Sequence, residues 1–295
     1  MTKTQKACEI LKSVWGGISS KALVFGFSLL LCAPAQAADY NLQKMNYDVY
    51  AGGIHAVKAD MILDYTKNGR YSMVFGAETR GLLGSLAPWS GTFESNGWIL
   101  AGRKLTPEIH ESIAMWRDEK EIKTYNYDKD KGFVDITTTY VGKKPKIEIP
   151  ESELTKDTID ALTATMRVME HVSDGGQCEG ESEVFDGKRR YKLIYKHTGF
   201  VQLEKTRYNA YSGPAAECTV EVQPVAGRWH KKPRGWLSIQ EQGRDRGTMP
   251  TVWMAQVVPN AVVIPVRVRV KTAYGTLFMH MTKYESGKTV LVPLD

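Results

Sequence analysis

The serine, histidine and acidic residues of this sequence do not form a recognisable catalytic pattern. The chain contains no GxSxG, HExxH or CxxC motif and no phosphate-binding loop. Ser85 and Ser90 lie in GLLGSLAPWSG, which lacks the strand-to-helix turn that exposes a nucleophile, and we expect a plain loop there. We therefore predict no catalytic residue and no enzyme activity. A hydrolase whose nucleophile, base and acid meet only in the folded chain stays open as an alternative.

Metal-binding patterns are also missing from the sequence. The six histidines show no metal-ligand spacing. Asp128 and Asp130 resemble the start of a calcium loop, but Gly132 comes one place too early and no bidentate glutamate follows at the required position. The sequence therefore predicts no metal site and no cofactor, and it predicts a solvated hairpin tip at these aspartates.

A cluster of basic and aromatic residues, RWHKKPRGW at 228–236, is the best candidate for contact with a partner. Its cations could meet lipid phosphates or an anionic glycan, and its tryptophans could supply apolar or stacking surface. The predicted partner surface consists of Arg228, Trp229, Lys231, Lys232, Arg234 and Trp236. The alternative is a solvated loop whose tryptophans turn inward, within an irregular segment at 227–250.

The first 37 residues have the pattern of a secretory leader. Four lysines precede an apolar run at 22–31, and APAQA follows, so we expect cleavage after Ala37. A run of ten residues is too short to span a bilayer, although an uncleaved anchor is an alternative. A lipidated Cys32 is disfavoured because Leu31, rather than a small residue, precedes it. We predict a signal peptide at 1–37, a periplasmic location and no transmembrane segment in the mature chain.

Removal of the leader leaves a chain with nearly balanced charge. The net charge of +6 falls to +3 when four lysines and one glutamate are lost, which does not indicate nucleic-acid binding. The length favours a single β-rich domain at 38–295. Cys178 and Cys218 are the cysteines left after cleavage, and an even pair in an oxidising compartment predicts a disulfide bond. Two free thiols or a metal pair are the alternative.

Short alternating runs separated by turn residues predict an antiparallel β meander over 40–140, and strands resume after residue 180. Turn signals occur at TKNGR (66–70), SNG (95–97), DKDKG (128–132) and DGK (186–188). A three-residue loop with Gly69 at positive φ places Leu63 opposite Met73 and Met61 opposite Phe75.

One segment, DTIDALTATMRVMEHV at 157–172, has apolar residues three or four apart and predicts an amphipathic helix. We expect Asp157 to cap this helix and the glycines at 175 and 176 to end it. Its apolar face includes Ile159, Leu162, Met166 and Met169. These side chains either complete a core or line an apolar ligand cavity.

The closing segment VVIPVRVRVKTAYGTLFMHMTKY, at 262–284, alternates valine with basic residues and then reverses direction. A two-residue turn at Tyr274 and Gly275 places Met279 opposite Val270 and makes one face almost continuously apolar. The reverse face then pairs Arg267, Arg269 and Lys271 with Thr282, His280 and Phe278. We expect a mixed, solvent-facing surface there rather than a concentrated anion site.

Together these elements predict a mostly β fold. A curved antiparallel sheet, in the form of an open barrel or β-spiral resembling a half-barrel, is expected to wrap around one central amphipathic helix at 157–172.

Four segments resemble a bacterial envelope family catalogued as domain of unknown function 3108. They are DTIDALTATMRVME, QCEGESEVFDGKRRYKLIY, CTVEVQPVAG and IPVRVRVKTAYGTLFMHMT, and the resemblance covers about 40–282. The resemblance implies an envelope location, the predicted architecture and a disulfide bond between Cys178 and Cys218, but it implies no catalytic residues. The chain is also loosely similar, in β content and setting, to lipoprotein-carrier half-barrels.

These observations predict a non-catalytic protein in the periplasm of a Gram-negative bacterium that serves cell-envelope structure or integrity. Its expected partner is an envelope component or an apolar ligand. A lipid or apolar-ligand carrier is the first alternative and an undetected hydrolase the second. A carrier needs a sizeable apolar trough beside the helix.

Overall fold

Alternation of apolar and polar residues gives this chain its strands, because each such run buries one face and leaves the other in water. The structure, a computed structural model, describes residues 41–231, 236–272 and 275–295. The predicted signal peptide at 1–37 lies outside these residues. The described strands are β1 Leu42–Ala51, β2 Ile54–Asp64, β3 Arg70–Thr79, β4 Trp89–Ile99, β5 Leu105–Trp116, β6 Glu119–Asp128, β7 Gly132–Tyr140, β8 Lys146–Glu148, β9 Gly180–Phe185, β10 Arg189–Leu203, β11 Gly213–Gly227, β12 Thr251–Ala255, β13 Ile264–Thr272, β14 Gly275–Ser286 and β15 Thr289–Leu291.

The described strands form one sheet in which every neighbouring pair is antiparallel. Its order is β8-β7-β6-β5-β4-β3-β2-β1-β14-β13-β12-β11-β10-β9, and β15 pairs with β14. The first meander, β1 to β8, therefore meets the second, β9 to β14, where β1 pairs with β14. This part of the prediction is confirmed: the fold is mostly β and antiparallel, and the described ladder does not close into a barrel.

The hairpin of β2 and β3 has the predicted register. Leu63 pairs with Met73 and Met61 pairs with Phe75. Gly69 has a φ of 69°, a conformation that costs glycine little and other residues more. The register places Met61, Leu63 and Met73 in the buried core. The turn residues and the alternation of apolar residues favour the same pairing of β2 with β3, so only one register satisfies both.

The described residues contain four α-helices where the sequence predicts one. These are α1 Gly81–Leu86, α2 Ser152–Thr155, α3 Ala161–Ser173 and α4 Trp236–Asp245. Helix α1 replaces the loop expected around Ser85, and α4 occupies part of the segment expected to be irregular. The side chain of Gln240 explains the position of α4, because it accepts from the backbone N–H of Val222 at 2.9 Å and donates to its carbonyl at 2.6 Å. This tertiary contact has no local sequence signal.

The predicted amphipathic helix corresponds to α3, which begins later than expected. Asp160 is its N-cap and accepts from the backbone N–H of Thr163 at 2.9 Å. Asp157, the expected cap, has a φ of 61° and lies before the helix. Ile159 also precedes α3 and forms a parallel bridge with Val184 of β9. Two aspartates with equal capping ability made the start ambiguous.

Two expected turns differ from the structure. SNG lies inside β4, where the pairing with β5 shifts at Asn96 and Gly97. A Cβ at Gly97 would lie 2.1 Å from the carbonyl oxygen of Thr106, so close backbone approach rather than a turn requires this glycine. In the hairpin of β13 and β14, Val270 pairs with Leu277 instead of Met279, a shift of two residues. A shift of two keeps every side chain on its predicted face.

The predicted disulfide bond joins Cys178 and Cys218, whose Cα atoms lie 6.0 Å apart. Both cysteines are fully buried. The bond connects the segment that follows α3 to β11, so it fixes the C-terminal end of that helix region against the second meander.

Candidate functional site

The structure describes only part of the predicted partner surface. Arg228 and Lys231 are exposed, whereas Lys232 and Arg234 lie outside the described residues. Trp236 begins α4, and its side chain also lies outside the described part.

Trp229 turns toward the sheet. Its Nε1 donates to the carbonyl of Ala226 at 2.8 Å, and its ring meets Tyr191 edge-on with 6.2 Å between centroids. The guanidinium carbon of Arg189 lies 5.0 Å from the centre of the Trp229 ring. These contacts match the inward-facing alternative for this tryptophan.

A basic cavity of about 270 Å³ lies beside Trp229. Its lining consists of Lys123, Asp186, Lys188, Arg189, Arg228 and His230. Asp186 pairs with Arg189 at 2.6 Å, and Lys123 pairs with Glu121 at 2.6 Å. Part of the positive charge is therefore neutralised within the protein.

The four residues predicted for the helix face have different surroundings. Met166 and Met169 are fully buried in the core, Ile159 is also buried, and Leu162 is only partly buried. Leu162 lines a cavity of about 270 Å³, termed the inner cavity. Its other lining residues are Phe93, His110, Ser112, Tyr125, Asp160, Ala161, Val184, Phe185, Asp186 and Tyr191.

Ser95, His110 and Asp160 meet beside the inner cavity. The Oγ of Ser95 lies 2.6 Å from Asp160 Oδ1 and 2.7 Å from His110 Nδ1. A hydroxyl has one proton, and its donation to Asp160 assigns the donor role in the other bond to His110 Nδ1. In a nucleophilic triad the histidine lies between the serine and the carboxylate and accepts the serine proton. Here the fully buried Ser95 lies in the middle, so the arrangement orients the cap of α3 instead of activating a nucleophile.

The face of the sheet opposite the buried Tyr47 and Met281 carries a continuous row of side chains. Six directly paired residues form this outer row: Lys58, Asp48, His280, Arg267, Trp253 and Glu217. The guanidinium carbon of Arg267 lies 5.0 Å from the ring centres of both Trp253 and Phe278. Aromatic rings therefore cover Arg267, which the sequence predicted to face solvent together with Arg269 and Lys271.

An aromatic cavity of about 370 Å³, termed the outer cavity, opens beside this row. Its lining consists of Tyr50, Gly52, Gly53, Tyr208, Thr276, Phe278 and His280. The Tyr50 and Tyr208 rings meet edge-on with 5.3 Å between centroids, and Phe278 stacks on His280 at 5.6 Å. Gly52 and Gly53, with φ of 57° and 88°, turn the chain there without adding side chains. The volume lies within the range of about 300 to 1,000 Å³ typical of small-molecule sites.

Two arginines lie beside rings of the outer cavity, and its histidine has a lowered pKa. The guanidinium carbon of Arg207 lies 4.7 Å from the centre of the Tyr208 ring. Burial, and secondarily the charge of Arg267, lower the pKa of His280 to about 4. His280 Nδ1 and Arg267 Nε are buried without a hydrogen-bond partner among the residues that the structure describes. A buried polar atom without a partner costs about 1 to 3 kcal/mol, so both atoms gain from a hydrogen-bond partner outside the chain.

A local turn places Tyr208 over the outer face. Thr206 Oγ1 accepts from the backbone N–H groups of Tyr208, at 3.2 Å, and of Asn209, at 3.1 Å. The next residue, Ala210, donates its N–H to the carbonyl of Met281 in β14 at 2.8 Å. The turn and the strand are thereby fixed to each other.

Sequence reasoning missed the outer cavity because its residues are distant in the chain. Tyr50 belongs to β1, Tyr208 to the connection between β10 and β11, and Phe278 with His280 to β14. The available signal was the pair Phe278 and His280 on the same face as the arginines, which by itself predicted only a mixed surface.

Among the described residues, no group of three or more histidine, cysteine or acidic side chains is arranged to hold a metal ion. Asp128 and Asp130 form a hairpin tip in which Asp128 Oδ1 accepts from the N–H groups of Asp130 and Lys131 at 2.9 Å. None of the helices in the described part of the chain has the length and apolarity needed to cross a membrane.

The fold and site define an antiparallel β protein with an aromatic surface cavity. The profile of the family described as protein of unknown function DUF3108 matches residues 46–282, and the chain belongs to this family. This confirms the resemblance identified from the sequence. No curated protein matches the chain. Among solved structures, the crystal structure of a beta-barrel-like protein of domain of unknown function DUF1849 from Brucella abortus has 9% identity and a TM-score of 0.47, covering 85% of this chain and 100% of that chain.

Proposed function

We propose that this chain is a non-catalytic protein of the Gram-negative periplasm that binds an envelope component at the outer cavity. The leader at 1–37, cleaved after Ala37, would direct its export. The disulfide bond between Cys178 and Cys218 supports an oxidising compartment, because such bonds are rare in the cytosol.

The proposed architecture is a sheet that curves around α3. Anchors from separate strands support this arrangement: Arg167 donates to the carbonyl of Leu105 in β5 at 2.7 Å, and Thr163 Oγ1 lies 2.8 Å from the hydroxyl of Tyr71 in β3. In this arrangement α3 completes a rigid scaffold, and recognition takes place on the other face of the sheet.

The outer cavity carries the binding part of the proposal. It combines four rings, two neighbouring arginines and a site-sized volume of about 370 Å³ on one exposed face. Beside the cavity, Arg267 Nε and His280 Nδ1 are buried without a hydrogen bond to any described residue. Such clusters are more typical of recognition sites than of surfaces selected only for stability.

The two alternatives have weaker support. A lipid carrier needs a larger apolar space than the inner cavity of about 270 Å³, and the fully buried Met166 and Met169 occupy the neighbouring core. A hydrolase built on Ser95 needs a histidine that accepts the serine proton, whereas Ser95 donates to Asp160 at 2.6 Å.

Site-specific photocrosslinking in living cells tests the proposed function. A photoreactive phenylalanine analogue replaces Tyr208 in the full chain, and the matched control carries the same analogue at Tyr140. The two tyrosines are similarly exposed, at 38% and 42%, but Tyr140 lies at the far end of β7. We expect position 208, and not position 140, to capture a discrete envelope component.

Cell fractionation of the same strains checks export. The proposal predicts crosslinked protein in the periplasmic fraction, with an N-terminus at Ala38. Equal capture at both positions, or no capture at 208, would overturn the proposed binding site. A cytosolic protein that retains its leader would overturn the proposed location.

A further inference from the structure

The described lining of the outer cavity consists of rings, backbone and one hydroxyl residue, with no aliphatic side chain. Lipid chains are bound mainly by aliphatic and flexible side chains, whereas aromatic rings present flat faces with negative π-density. A ligand with a flat surface of C–H groups, which carry slight positive charge, suits such a lining. The cavity volume of about 370 Å³ accommodates a compact ring more readily than a long chain.

Hydroxyl groups accompany these rings. The phenols of Tyr50 and Tyr208 both donate and accept hydrogen bonds. Burial, followed by the charge of Asp48, raises the pKa of Tyr50, so its phenol keeps the proton that lets it donate. A ligand that carries several hydroxyl groups around one ring can pair with both phenols while its C–H face rests on a ring.

The charges of the site decide between ligand classes. Aromatic cages often bind quaternary ammonium groups through their ring faces. Here the Arg207 guanidinium already lies 4.7 Å from Tyr208, and the Arg267 guanidinium lies 5.0 Å from Phe278. A cationic ligand would meet like charge at Tyr208 and Phe278, where a carboxylate would be attracted, whereas the charge of Asp48 acts on the Tyr50 side of the cavity.

From this combination we infer that the outer cavity binds a saccharide ring of the cell envelope, with Arg207 favouring a sugar that carries a carboxylate. The inference rests on the proposed function, because it names the chemistry of the envelope component that this cavity binds. Tyr50 and Tyr208 supply stacking and hydroxyl contacts, and the glycine turn at 52–53 lets the ring approach the backbone.

Calorimetric titration with two defined disaccharides tests this inference. The probes are N,N′-diacetylchitobiose, which is neutral, and the disaccharide of N-acetylglucosamine and N-acetylmuramic acid, which carries a carboxylate. The protein is the processed form purified from cells that express the full chain. We expect saturable binding, and we expect Tyr208→Ala to weaken it by about fivefold to tenfold through loss of ring stacking.

Two further variants make the titration specific. Tyr140→Ala removes a similarly exposed tyrosine, which lines a separate cavity beside Glu119, Lys120 and Glu121, and should leave the dissociation constants unchanged. Arg207→Gln should weaken binding of the acidic disaccharide more than binding of the neutral one. Unfolding midpoints of all variants, measured in parallel, confirm that the compared proteins are folded.

The saccharide inference is overturned if the parent protein binds neither disaccharide, or if Tyr208→Ala and Tyr140→Ala bind alike. Equal weakening of both probes by Arg207→Gln overturns the acidic preference. If neither disaccharide binds while crosslinking at position 208 still captures an envelope component, the saccharide assignment fails and the proposed function stands. If crosslinking fails as well, both fail.

Discussion

The Arg267 guanidinium stacks on the Trp253 ring, with 5.0 Å between the guanidinium carbon and the ring centre. The indole N–H also fixes the orientation of Trp253, because its Nε1 donates to Glu217 Oε2 at 2.9 Å. The basic residues of β13 therefore differ in their surroundings. Arg267 is packed between the rings of Trp253 and Phe278, whereas Lys271 is exposed. A single alternating pattern in the sequence corresponds to two different physical roles.

We predict that Arg267→Ala destabilises the protein by about 1 kcal/mol, because the loss of both ring contacts and of the packed side-chain stem exceeds the cost of the buried, unpaired Nε that is removed with them. Lys271→Ala is the matched control and should change the free energy of unfolding by less than about 0.5 kcal/mol. Urea unfolding of both variants beside the parent measures the difference. Equal effects at the two positions would show that the stacking contributes nothing to stability.

The cap of α3 gives a second prediction. Asp160 accepts three hydrogen bonds, one from Ser95 and two from the N–H and hydroxyl of Thr163. Asp160→Asn replaces one accepting oxygen with a donor, so we expect a loss of about 1 to 3 kcal/mol. Asp157→Asn is the control, because asparagine tolerates the positive φ there and the expected change is within about 0.5 kcal/mol. Chemical denaturation distinguishes the two, and a larger loss from the change at 157 would contradict the observed helix start.

Core packing around α3 gives a third prediction. Met166 is fully buried, so Met166→Ala should cost about 2 to 5 kcal/mol. Leu162 lines the inner cavity and is only partly buried, so Leu162→Ala should cost less, about 1 to 2 kcal/mol. Denaturant unfolding of protein stripped of lipid measures both. A near-neutral Met166→Ala together with weakened uptake of a fluorescent fatty acid would favour the carrier instead.

His280 predicts a specific dependence of stability on pH. The pKa of His280 is about 4 in the folded protein, whereas an unperturbed histidine has a pKa of 6.5. The unfolded chain therefore binds the proton more readily than the folded protein does. The stabilisation from neutral His280 is therefore complete above about pH 6.5 and is lost as the pH falls toward about 4. In His280→Gln the slope of unfolding free energy against pH should decrease over this window, whereas the exposed His230→Gln serves as control. Urea unfolding at a series of pH values across this window measures the free energy of unfolding. If it changes with pH equally in the parent and in His280→Gln, the prediction is refuted.

The sequence predicts faces and local turns better than partners in space. The hairpin around Gly69 was predictable because alternation and turn chemistry agree on one register. Alternation repeats every two residues, so it could not distinguish Val270 opposite Leu277 from Val270 opposite Met279. The start of α3 was ambiguous because Asp157 and Asp160 are both good caps, and only the backbone of the folded chain separates them.

The candidate site was less predictable than the fold. The outer cavity depends on the pairing of β1 with β14 and on the turn that carries Tyr208, and neither has a local signal. The basic and aromatic cluster at 228–236 was identified from composition, but composition did not show that Trp229 packs on Tyr191. Long-range placement, rather than residue type, decides which aromatic residues form a site.

The pairing of β1 with β14 also constrains how the chain folds. Gln43 and Tyr284, which hydrogen-bond at 2.9 Å across this junction, are separated by 241 positions. Closing so long a loop is slow, because chain entropy must be lost before the contact forms. A chain made from its N-terminus holds β1 without β14 until more than two hundred further residues, up to β14 itself, have been added. The two meanders therefore join only after β14 has been made, and a chain that stops before β14 leaves the β1 edge of the first meander unpaired.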